Sequence, residues 1–171
     1  MKLQTDITIN NRIYAKGAEV SWWNIYPLFL VHMLLFGLSG FVMAYSPWHP
    51  PLYFIFLHGG LAVAVYTLFY RMFFGVDEVR WMFINAGLGL LGIYTQVGWL
   101  LSRFGKKMVD YPFHLHVLPF LYYILYTFLL RQALLDLAGA RENEQKRNTV
   151  ENIYVGCSVA VSIVFYYLGG R

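Results

Sequence analysis

Five histidines are the residues best equipped for chemistry in this chain of 171: His32, His49, His58, His114 and His116. All but His49 fall inside long apolar runs, where a polar ring needs a partner. Such a ring bonds a backbone carbonyl, sits at the lipid interface or ligates something. His49, between Trp48 and Pro50, reads as interfacial. His58 and His116 differ because each lies within about two helical turns of the start of its run, at ~1.5 Å per residue. Both runs enter from the same surface, so the two imidazoles are expected at one depth, where a facing pair suits the axial positions of a b-type haem. Zinc would accept the same pair plus His114, but it prefers cysteine or carboxylate company. The runs offer only Cys157 and, at one edge, Glu151. A flat macrocycle also needs helices without side chains where they cross it. Gly40 and Gly98 stand near the outer ends of their runs, at the expected depth of the two histidines. Close helix packing would select the same glycines, as it would Gly59 and Gly60 beside His58.

The elements that position these residues follow from composition. With 58% hydrophobic, 19% aromatic and only 13% charged residues, and a mean hydropathy of +0.50, the chain carries more apolar surface than a globule of its size can hide. One cysteine excludes an intrachain disulfide, and the composition excludes disorder. The apolar excess predicts an all-α integral membrane helical bundle with five spans: Trp23–Tyr45, Leu52–Tyr70, Trp81–Ser102, Pro112–Leu130 and Val150–Leu168. Residues 1–21 form a polar N-terminal segment without the apolar core of a signal peptide. Residues 22–131 form a four-helix core whose spans are expected to be sequential antiparallel neighbours. Residues 132–149 form a charged, solvated loop, and 150–171 a fifth transmembrane helix. Cys157 is expected to be a small core residue.

The net charge of +4 and pI of 9.2 would suggest nucleic acid in a soluble protein, but here the bases lie in short connections and act as topology signals, with no nucleic-acid partner. Placing the N-terminus in the cytoplasm puts nine Lys and Arg inside and four outside, namely Arg103, Lys106, Lys107 and Arg171. That balance favours a multi-pass protein with its N-terminus in and its C-terminus out, expected in a bacterial inner membrane.

Several segments together resemble a family. Trp23-Asn24, and Leu38-Ser39-Gly40-Phe41-Val42-Met43-Ala44-Tyr45, resemble the first membrane helix of the cytochrome b subunit of quinol–cytochrome c reductases. Phe56-Leu57-His58-Gly59-Gly60, with the closing Tyr70-Arg71-Met72-Phe73-Phe74-Gly75, resembles its second helix. Arg80-Trp81 and Gly98 resemble the third, and Phe113-His114-Leu115-His116-Val117-Leu118-Pro119 the fourth. The resemblance covers residues 22–131 and implies axial ligation by His58 and His116, with Gly40 and Gly98 against the outer haem. That family's inner haem has no counterpart here: fourteen residues beyond His58 and His116 stand Met72 and Leu130, and the inner glycine positions fall at Tyr26 and Ile84. Spans 2 and 4 also look a turn short at their inner ends, with Phe69, Tyr70, Tyr126 and Phe128 available to fill the space. The family's propionate-pairing arginines are absent, leaving Lys106 and Lys107 in their place.

The function implied is a mono-haem b electron-transfer subunit of a larger respiratory or photosynthetic oxidoreductase, not an enzyme on its own. Its expected partners are a c-type cytochrome or iron–sulfur subunit, with a quinone or a second copy of the chain as further candidates, and span 5 is the expected contact with that complex or with a second copy. Two alternatives stand beside this reading. One is a di-haem cytochrome using His32, and the other is a haem-free anchor or assembly subunit with the same fold.

Overall fold

The computed structural model describes residues 2–9, 11–48 and 50–169. His49 and Arg171, which the sequence placed on the outer side, lie outside the described residues. Among the described residues, five helices are long and apolar enough to cross a membrane, and the chain is an all-α membrane helical bundle. Helix α1 (Trp22–Tyr45) is the first span. Helix α2 (Leu52–Phe74) starts directly after Pro50-Pro51 and stops at Gly75, whose φ of 91° few other residues adopt. One turn, α3 (Val76–Val79), leads into α4 (Trp81–Gly92), a π-helical stretch Ile93–Val97 and α5 (Gly98–Ser102), which together form the third span. Helices α6 (Phe113–Leu137) and α7 (Glu144–Gly169) complete the set. The polar N-terminal segment folds as an antiparallel hairpin of β1 (Ile7–Ile9) and β2 (Arg12–Tyr14), turned at Asn11 with φ 61°. The hairpin end of the bundle is where α1 begins and α2 stops, and the opposite end is called the far end.

Helix α6 is the axis. Its apolar residues cover every face, which marks a helix wanted on all sides. Half of its most apolar stretch is buried, against 22% for α1 and α2 and 11% for α7. Helices α1, α2, α4 and α7 all pack against it, while α1 and α2 meet only slightly and α4 leans on α6 and α7. The expected ring of sequential neighbours is therefore replaced by four helices around a fifth. Close approach is bought at Gly59, where an added Cβ would lie 2.5 Å from Leu118, and at Gly92, where it would meet the Tyr123 ring at 2.5 to 2.7 Å.

The expected loop at 132–149 is corrected too. Helix α6 runs seven residues beyond Leu130 and α7 begins at Glu144, so the connection shrinks to residues 138–143, turned by Gly139 at φ 58°. Spans 2 and 4 are not short. The polar residues that follow Leu130 in span 4 are paired: Arg131 with Glu78 and Glu151, and Asp136 with Arg141 and Tyr26. Charges neutralised by partners can remain helical at the edge of a membrane. Inside the bundle, the rings of Tyr70 and Phe128 lie 4.8 Å apart, tilted to each other, and both are buried, whereas Phe69 is exposed.

Candidate functional site

The histidines were placed by helix position, and the structure locates each. His58, in the second turn of α2, is sandwiched between the rings of Phe36 at 5.5 Å and Phe54 at 6.2 Å, nearly parallel to both, with Tyr122 also at 6.2 Å. Its Nε2 is buried without a hydrogen-bond partner among the described residues. His116, in the first turn of α6, holds its Nδ1 2.8 Å from the Tyr45 hydroxyl at the end of α1. His32 is engaged with Tyr66, whose hydroxyl lies 2.5 Å from its Nδ1, and stands edge-on to Phe36. His114 is half-buried on the same first turn of α6 as His116. Among the described residues, no three of His, Cys, Asp and Glu gather as a metal site, so the zinc arrangement is not assembled.

Depth separates the expected ligand pair. His58 lies level with Tyr122, which follows His116 by six residues, or ~9 Å along α6. On α1 the two rings rest against Phe36 and Tyr45, nine residues or ~13 Å apart. Counting from the helix starts already foreshadows half of this, since His58 is the seventh residue of α2 and His116 the fourth of α6.

The macrocycle's space is taken as well. A Cβ on Gly40 would lie 2.5 and 2.8 Å from atoms of the Tyr122 ring, so that glycine makes room for a tyrosine. Leu118 fills the hollow at Gly59, and the gap left between α2 and α6 is about 110 Å³, lined by Gly60, Val117 and Leu121. A Cβ on Gly98 would lie 3.5 Å from the Met108 sulfur, an ordinary contact, beside an open cleft. Lys106, expected to pair a propionate, donates from Nζ to the Tyr45 carbonyl at 2.9 Å, an oxygen that also accepts the Tyr111 hydroxyl at 3.1 Å. The donor chemistry suits a bis-imidazole iron, and the orphaned His58 Nε2 is the kind of nitrogen such a site needs. The packing does not suit the group: with Tyr122 and Leu118 in place, His58 and His116 do not share a porphyrin.

The strongest polar feature escaped the sequence reading. Arg131, with 1% of its side chain exposed, sends Nη1 to Glu78 Oε2 at 2.7 Å and Nη2 to the Glu151 carboxylate, and its guanidinium lies 4.0 Å above the Trp81 ring. Gln132 donates to the same Glu78 oxygen at 2.9 Å. One cation thereby ties α3, α4, α6 and α7 together. A neighbouring set joins Tyr26 of α1 to Asp136 and Arg141. Burial alone would pull the Arg141 guanidinium down, but its bonds to Asp136 and Tyr26 outweigh that and hold it above the ordinary arginine value. The signal was legible only in retrospect: Glu78, Arg131, Asp136 and Glu151 all fall at the same end of their spans. Higher up, Tyr154 of α7 donates to Asn85 at 3.0 Å and to the Thr127 carbonyl at 3.2 Å.

Three larger clefts open on the surface. One of about 590 Å³ lies under the hairpin beside Lys2, Asp136 and Arg141. Another, of about 740 Å³ between α6 and α7, is lined by Tyr126, Tyr154 and Cys157; the cysteine is exposed there, not a core residue as expected. The third, about 710 Å³ at the far end, lies between α5 and the end of α7. Compared with known proteins, the chain matches no family model, no curated sequence and no solved structure, so the likeness to cytochrome b rests on the short motifs alone.

Proposed function

We propose that the chain is a membrane-integral scaffold subunit, the haem-free anchor or assembly member of a larger membrane complex. The observation that carries this reading is the filled centre: Tyr122 against Gly40 and Leu118 against Gly59 occupy the volume a cofactor would need. Two further features support it. The Arg131 cluster and the Tyr26–Asp136–Arg141 set lock four spans at the hairpin end. Helices α2 and α7 turn broad apolar faces outward, as lipid or a neighbouring span requires. The proposed orientation places the hairpin end in the cytoplasm, following the excess of Lys and Arg there.

A second reading is favoured by one observation, the partnerless His58 Nε2. In that reading the chain carries one electron on a b-type haem with His58 as an axial ligand, and Tyr122 and Leu118 are displaced to admit it. Its partners would be a c-type cytochrome or iron–sulfur subunit, or a quinone.

One preparation separates the readings. The chain, expressed with haem supplied and purified in mild detergent, is reduced with dithionite and titrated as the pyridine haemochrome. Far less than one haem per polypeptide, together with a native mass showing partners or further copies, is the expected result. One haem per chain that is lost in His58→Phe overturns the scaffold reading in favour of the second.

A further inference from the structure

The far-end cleft of about 710 Å³ unites features that neither reading uses. It opens where the third span departs from α-helix: the π-helical stretch Ile93–Val97 supplies Tyr94 and Thr95 to its wall. A π segment widens a helix by one residue per turn and often marks a binding position. Gly98 follows immediately and leaves the wall without a side chain. The opposite wall is aromatic, with Phe165, Tyr166 and Tyr167 of α7, and Phe165 meets Trp99 edge to face at 4.9 Å.

The polar part of the cleft is positive. Lys106 and Lys107 line it, and Arg103 lies 5.1 Å above the Trp99 ring. The only acid in this loop is Asp110, whose carboxylate accepts the Lys107 backbone N–H at 2.8 Å. Lys106 is committed to the Tyr45 carbonyl, whereas Lys107 is exposed and enters no ion pair among the described residues. Trp99 forms part of the cleft wall, with its Nε1 turned inward and buried.

A basic cluster at the end opposite the other bases also runs against the usual distribution of charge in membrane proteins. A local role accounts for it. We propose that this cleft is a seat for one anionic phospholipid. Its phosphate is met by Lys107 at the rim, and an acyl chain lies along Gly98, Tyr94 and Phe165. The occupant is committed by charge complementarity at the rim, by the aromatic wall at headgroup depth, and by the apolar floor that continues into the bilayer.

The test uses the full chain in nanodiscs, one set of phosphatidylcholine alone and one with added phosphatidylglycerol, released for native mass measurement. Phosphatidylglycerol retained at about one per chain, at least five-fold over phosphatidylcholine, is the expected result. Lys107→Gln should reduce that retention about five-fold, the equivalent of ~1 kcal/mol for one lysine near a lipid surface. Lys107 is exposed, so the variant is expected to fold; Trp99→Phe, which keeps an aromatic ring beside Phe165 but shrinks the wall of the cleft, should also weaken retention. Equal retention of both lipids, or retention unchanged in both variants, overturns the proposal. So does inorganic phosphate alone raising the melting temperature as much as phosphatidylglycerol does, because the site would then take the ion without the lipid.

Discussion

Arg131 Nη1 lies 2.7 Å from Glu78 Oε2 across 53 residues of chain, with the arginine side chain 1% exposed. The two opposite charges compensate each other's burial, and Glu151 completes the neutralisation of the arginine. Arg131→Met is therefore expected to destabilise by ~3–5 kcal/mol, because it strands two carboxylates. Glu78→Gln should cost less, since Arg131 keeps Glu151. Thermal melts of the purified variants give the order, and an Arg131→Met protein as stable as its parent would remove the cluster from the account of the fold.

Gly40 and Tyr122 give the second prediction. Gly40→Ala is expected to destabilise by ~1–3 kcal/mol because the new methyl meets the tyrosine ring. Shortening that ring in Tyr122→Leu should recover part of the loss in the double variant, a coupling that additive effects would not produce. Gly98→Ala is the control. Its Cβ would make an ordinary contact with the Met108 sulfur at 3.5 Å, so its effect should stay within ~0.5 kcal/mol.

His58→Phe removes an imidazole nitrogen that has no partner and keeps a flat ring between Phe36 and Phe54. Stability should be unchanged or rise by ~1 kcal/mol, since a buried unsatisfied group is relieved. A large loss of stability on this substitution would show that the nitrogen has a bound partner in the cell-derived protein.

Tyr45→Phe should cost ~1 kcal/mol through loss of the bond to His116 Nδ1. The Lys106 and Tyr111 bonds use the Tyr45 carbonyl and survive the substitution. A double-mutant cycle with His116→Phe isolates the hydroxyl-to-imidazole contribution.

Orientation is tested by labelling. In a Cys157→Ala background, Thr5→Cys and Lys107→Cys should react with an impermeant maleimide from opposite faces, with Lys107→Cys reached from outside the cell. Labelling of Thr5→Cys from outside would invert the proposed topology.

The five spans were legible because uncharged apolar runs of about 20 residues match the thickness of a bilayer and are rare in water-soluble domains. Their ends were not. A hydropathy reading stops at Leu130 because Arg131 follows, and only the positions of Glu78 and Glu151 in space show that the helix continues. The same limit applied to the histidines. Sequence spacing brought His58 and His116 near one end, but their levels depend on how α2 and α6 slide past each other, which Gly59 and Leu118 decide by contact. Gly40 was read as lying against a haem, with close helix packing as the alternative, and what approaches it in the fold, Tyr122, lies 82 residues further along the chain.

The central place of α6 has a consequence for the order of assembly. It is the fourth span to emerge during synthesis, yet it is the one against which the earlier spans pack. Helices α1 and α2 touch each other only slightly, so each must reside in the bilayer as a separate, lipid-solvated helix until α6 arrives. Only then can Arg131 enter with its carboxylate at Glu78 already waiting, and the second carboxylate, Glu151, comes last with α7. A chain truncated before residue 113 would thus be inserted but unassembled, a set of independent spans open to membrane proteases.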